Sequence, residues 1–97
     1  MTFRLIIKDQ AESELESAIF YYEEKRKGLG IEFLNEVEDV FRLISHAPEL
    51  FNLKYRNTRE VLIGKFPYLV VYTFENNEVI VYSVFHTSRN PKKKIKK

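Results

Sequence analysis

The stretch REVLIGKFPYLVVYTFENNEVIVYSVFHTSR, residues 59–89, decides the fold. It reads as three consecutive strands, rich in the β-branched and aromatic residues that suit a pleated, half-buried surface. Val61-Leu62-Ile63 belongs to the first, Tyr68 to Phe74 forms the second, and Val79 to His86 forms the third. Asn76-Asn77 between the last two is a turn signal, because Asn tolerates the positive φ that a two-residue hairpin loop requires. Phe66-Pro67-Tyr68 leads into the middle strand, where a proline at the strand's start removes no ladder donor. Arg59, His86 and Arg89 stand at the ends of this unit, so the strand ends are the first place to look for chemistry.

The faces of the unit follow from period-two alternation. In the middle strand Tyr68, Val70, Tyr72 and Phe74 alternate with Leu69, Val71 and Thr73. In the last, Val79, Val81, Ser83 and Phe85 alternate with Ile80, Tyr82, Val84 and His86. Both faces are largely apolar, so each needs cover.

Upstream, Phe3, Leu5 and Ile7 alternate with Arg4, Ile6 and Lys8, which predicts a first strand of about six residues. Asp9, with Glu12 three residues on, predicts a capping box. Ala11, Leu15, Ala18, Ile19 and Tyr22 then form one stripe of an amphipathic helix. Lys25-Arg26-Lys27 closes that helix at the negative end of its dipole, and Gly28 and Gly30 supply the break. A second helix is expected from about Ile31 to Ser45 on the stripe Phe33, Val37, Val40, Phe41 and Ile44, stopped by Pro48. Phe51 to Asn57 reads as a loop. The expected fold is α+β in the order β-α-α-β-β-β, a helical hairpin on one face of a mainly antiparallel four-stranded sheet. Residues 1–91 form a single domain, and 92–97 are a Lys-rich tail. One helix layer covers one sheet face. The other is left for a partner chain or a second copy, since a large apolar surface on a small protein marks an interaction site.

The chain has no cysteine, which excludes a disulfide framework, a thiolate metal site and a cysteine nucleophile. No apolar run is long enough for a signal peptide or a membrane span, so a cytoplasmic location is expected. Charge is uneven: residues 1–50 hold 6 Lys+Arg against 11 Asp+Glu, and residues 51–97 hold 10 against 3. The positive half suits an acidic partner or a polyanion.

There is no phosphate-binding glycine loop and no Gly-x-Ser-x-Gly elbow, and the only histidines, His46 and His86, are far apart. No cofactor and no metal are expected. The residues that carry chemistry are His86, suited to acid–base work near neutral pH, and Arg59 and Arg89, suited to bidentate bonds to phosphate or carboxylate. Tyr68, Tyr72 and Tyr82 can stack on bases, and Lys92, Lys93 and Lys94 can follow a nucleic-acid backbone. Each also has a plain structural reading, the tyrosines as sheet packing and the cations as solvated surface.

Several pieces then fall into a familiar order: Tyr21-Tyr22-Glu23, Gly28-Leu29-Gly30, Phe33-Leu34 with Val37, and Pro48-Glu49-Leu50-Phe51. They continue with Arg59, Phe66-Pro67-Tyr68 with Tyr72, and His86-Thr87-Ser88-Arg89-Asn90-Pro91. With the strand and helix order, the chain resembles the RelE/ParE superfamily, the toxin half of bacterial type II toxin–antitoxin modules. The resemblance implies a cytoplasmic toxin that inhibits growth, stabilises plasmids and is neutralised by a cognate antitoxin. Arg59, Tyr68, Tyr72, Tyr82, His86 and Arg89 are then expected to meet partners, and a homodimer is expected when the antitoxin is absent. Two activities divide the superfamily. The RelE-like branch resembles ribosome-dependent mRNA endoribonucleases, for which His86, Arg89 and Arg59 are the catalytic candidates here. The ParE-like branch resembles inhibitors of DNA gyrase that act by binding. Many nuclease members have a cation directly after the middle strand's first Tyr, where this chain has Leu69. The preceding strand has Glu60, Val61, Leu62 and Ile63 in place of cations, and the tail has no Tyr. A dianionic transition state needs placed cations, so these departures favour the ParE-like branch. Ribosome-dependent cleavage and a non-toxic member that only binds its partner stay open.

Overall fold

A computed structural model describes residues 2–88. The first strand, β1 (Arg4–Ile7), is followed by α1 (Asp9–Lys25), α2 (Leu29–His46) and a single 3-10 turn at Pro48–Leu50. Four more strands complete the described chain: β2 (Leu53–Tyr55), β3 (Thr58–Leu62), β4 (Tyr68–Glu75) and β5 (Glu78–His86). They form one sheet in the order β1-β5-β4-β3-β2. β1 pairs parallel to β5, and every other pairing is antiparallel. The architecture is the expected α+β one, with two helices packed on a mostly antiparallel sheet, but the sheet has five strands rather than four. The fifth is β2, inside the segment read as a loop. Its three residues are too few to show alternation. They pair because Arg56 takes a left-handed φ of 55° and folds Tyr55 back onto Thr58.

Asn76 and Asn77 have φ of 50° and 71°, so the β4–β5 turn forms as its residues dictate. The helix ends differ from expectation. Lys8, not Asp9, is the N-cap of α1, and no side chain caps it. The backbone has already committed Lys8, whose N–H donates to Val81 O and whose carbonyl accepts from Glu12 N. Asp9 and Glu12 therefore act through charge in the first turn. Only Gly28 makes the break, with φ 89° at the N-cap of α2. Gly30 lies inside α2, where a Cβ would come within 2.8 Å of Ile19 O, so it permits the closest approach of the two helices. The Glu23 carboxylate fastens this junction by accepting from Gly28 N (2.9 Å) and Gly30 N (3.0 Å). Those bonds, the Gly28 one first, hold its pKa below the usual carboxylate value.

The core lies between the helices and the sheet. Phe33, fully buried, centres an aromatic cluster with Tyr22, Phe66 and Tyr68, its ring centroids 5.1 Å from each. Offset and edge contacts at such distances add about 0.5–1.5 kcal/mol per pair beyond area burial. In β5, Val71 pairs with Ser83 but Tyr72 pairs with Val81, so Tyr82 is the extra residue of a bulge. The bulge overturns the simple alternation of that strand: Val79, Val81 and Val84 share the helix-side core, and Ser83 and Phe85 do not. The sheet face away from the helices is less open than expected. Val71, Thr73, Ser83 and Phe85 are each 4% exposed or less. Exposed apolar residues of the sheet lie at its β2–β3 edge, at Leu53, Tyr55 and Leu62.

Candidate functional site

The strand-end residues do not gather into one site. Arg59 pairs opposite Tyr72, and His86 opposite Tyr68. The two positions are four residues apart along β4, roughly 13 Å, and on strands to either side of it. No single phosphate bridges that gap. Arg59 is occupied locally: its Nη1 donates to Phe51 O, and its guanidinium lies 5.2 Å from the Phe74 ring centroid. It anchors the chain between the 3-10 turn and β2. Tyr72 is fully buried and donates its hydroxyl proton to Pro48 O at 2.6 Å. Burial pushes its pKa up to about 12, with Arg59 opposing and Glu49 adding to the shift, so the phenol stays neutral near pH 7.

Tyr68 is buried within the aromatic cluster, and its ring meets His86 edge-on at 5.3 Å. His86 Nδ1 accepts from Ser88 N at 3.1 Å, an arrangement that places the neutral imidazole's proton on Nε2. Leu69 stands between Leu62 of β3 and Phe85 of β5, an apolar row across the sheet. Tyr82 is the half-buried bulge residue. Arg89, Lys92, Lys93 and Lys94 lie outside the described residues. Among the described residues, no group of three or more His, Cys, Asp or Glu is placed to hold a metal ion. No helix among them is long and apolar enough to cross a membrane.

A surface that the sequence did not reveal lies on the opposite flank. Between β1 and α2 runs an open groove of about 530 Å³, with Phe3, Leu5 and Phe41 as apolar walls and Glu38, Arg42 and His46 at its rim. Arg4 N donates to Asn77 O and Lys8 N to Val81 O, so these residues turn their backbone toward β5. By alternation, the backbone groups of Leu5 and Ile7 face away from β5, toward this flank. Phe3 N donates to Ser45 O and closes one end. The available signal was the alternation of Phe3, Leu5 and Ile7. It cannot tell that β1 is an edge strand, because that depends on a pairing some 75 residues away in sequence.

These features define a small toxin fold of the RelE/ParE type, with an open groove and dispersed strand-end residues. A family model for the ParE toxin of the type II toxin–antitoxin system, parDE, matches residues 5–91. That spans nearly the whole chain, which belongs to the ParE toxin family. Among solved structures, a chain of the chromosomal ParDE TA system from P. aeruginosa has a TM-score of 0.78 at 8% identity, over 90% of this chain and 98% of that one. A copper-bound mutant toxin from Helicobacter pylori has a TM-score of 0.57 at 20% identity, over 89% and 96%. No curated protein matches the chain.

Proposed function

We propose that this protein is the toxin of a two-component module, that a cognate antitoxin neutralises it, and that it acts in the cytoplasm by binding DNA gyrase. The observation that carries the binding mode is the dispersal of Arg59 and His86, with apolar Leu69 between Leu62 and Phe85 where a nuclease would want a cation. Without converged cations the dianion of RNA cleavage has nothing to stabilise it. The groove between β1 and α2 suits an antitoxin: apolar walls supply contact area, and outward backbone groups of an edge strand supply hydrogen bonds.

The test is induction of the protein in cells without an antitoxin. Supercoiling of a reporter plasmid and the 5′ ends of mRNA are then followed separately. Gyrase binding is expected to relax the plasmid and leave mRNA ends unchanged. New ends within codons, with supercoiling intact, would establish the endoribonuclease instead. No growth defect would mark a non-toxic member.

A further inference from the structure

β5 is longer than the strand that covers it. β1 pairs with β5 only over Glu78–Val81, but β5 continues to His86. From Tyr82 onward, β4 lies on one side of β5 and no strand lies on the other. This half, Tyr82-Ser83-Val84-Phe85-His86, is β-prone and carries no Asp, Glu, Lys, Arg, Gly or Pro. Such a segment with an open edge is a template for pairing with another chain. The bulge sharpens the hazard. Val81 O serves β1, so strict alternation would turn Val84 N toward β4. The extra residue Tyr82 turns Val84 N to the open edge instead.

Glu14 of α1 meets it there. Its Oε1 accepts from Val84 N at 2.9 Å and from Ser83 Oγ at 2.8 Å. Gln10, one turn earlier, donates to Oε2 at 3.2 Å and orients the carboxylate. One side chain thus does for β5 what the carbonyl of a neighbouring strand would do. We infer that Glu14 is an edge guard, and that its carboxylate prevents the outer half of β5 from pairing with the same strand of a second copy. The second copy is the expected occupant because two β5 edges meeting antiparallel oppose no like charges between Tyr82 and His86.

The variants are Glu14→Ala, Glu14→Asp and Glu14→Gln. Sedimentation velocity is run over a concentration series, and hydrogen exchange is measured at the Val84 amide. Glu14→Ala and Glu14→Asp are expected to expose the amide, speeding its exchange on the order of tenfold or more. Both should shift toward dimer mass at concentrations where the parent does not. Asp keeps the charge but is one methylene too short to reach. Glu14→Gln keeps an acceptor oxygen and is expected to sediment as the parent does. Should Glu14→Ala fail to fold by circular dichroism, the Asp and Gln variants decide. The guard is overturned if Glu14→Asp retains slow Val84 exchange and parental sedimentation. It is equally overturned if Glu14→Gln self-associates as strongly as Glu14→Asp, since charge rather than the hydrogen bond would then be responsible.

Discussion

The two flanks of the sheet are finished in opposite ways. At the Tyr68–His86 corner, rings of Tyr22, Phe33, Phe66 and Tyr68 close on one another at 4.9–6.0 Å, and His86 lies edge-on against the last of them. At the other flank, β1 and α2 stand apart over a groove of about 530 Å³. The residues with chemical potential lie in or beside packed regions, and the open surface is lined mainly by groups suited to contact. The difference teaches that in this domain the aromatics of the strand unit build stability, and that recognition falls to an edge strand and the helix beside it. Substitutions that act on one flank and spare the other sharpen that division. One that acts equally on both breaks it.

The largest effect is expected at the closed corner. Phe33→Ala removes the fully buried ring that touches three others, and should cost about 3–5 kcal/mol in urea unfolding. If Phe33→Ala cost under 1 kcal/mol, the corner would not be the stabilising one. At the open flank, Leu5→Arg puts a charge among the groove's apolar walls. It is expected to weaken antitoxin binding by about tenfold or more in calorimetry and to keep cooperative unfolding. Unchanged affinity would remove the groove from the antitoxin's footprint.

Tyr72→Phe deletes the donor to Pro48 O and should cost about 1–2 kcal/mol in the same unfolding assay. Because the folded pKa of Tyr72 is raised to about 12, its contribution is fully present below pH 10 and declines as pH rises from there through 12. The phenylalanine variant should therefore lose part of the parent's alkaline slope. The smallest effect is expected at Glu23. Its folded pKa is lowered by the two glycine amides, so its contribution holds above the ordinary value of 4.5 and is lost as pH falls through the depressed one. Glu23→Gln should flatten the acid limb of the stability curve, followed by thermal unfolding at stepped pH.

Much of this fold was legible from local chemistry. The β4–β5 hairpin follows from Asn76-Asn77 between two apolar runs, and α2 follows from the stripe Phe33, Val37, Val40, Phe41 and Ile44, all of them buried. Local chemistry was silent where geometry depends on distant partners. β2 is a strand only because β3 offers it a ladder, and Tyr82 is a bulge only by its register with β4. That register moved Val84 to the helix side and gave its amide to Glu14, some 70 residues away. The candidate site was misplaced for the same reason. Arg59 and His86 both end strands of one unit, but neighbouring antiparallel strands put those ends on opposite sides of the sheet.

The central claim is that the protein acts by binding, and a supercoiling assay with purified gyrase tests it most directly. The parent and His86→Ala are titrated side by side, with circular dichroism to confirm that both are folded. The account expects both to inhibit supercoiling at similar concentrations, because His86 contributes an edge contact to Tyr68 and no chemistry. No inhibition by the parent at any concentration, with mRNA cut on translating ribosomes by the parent and spared by His86→Ala, would contradict it.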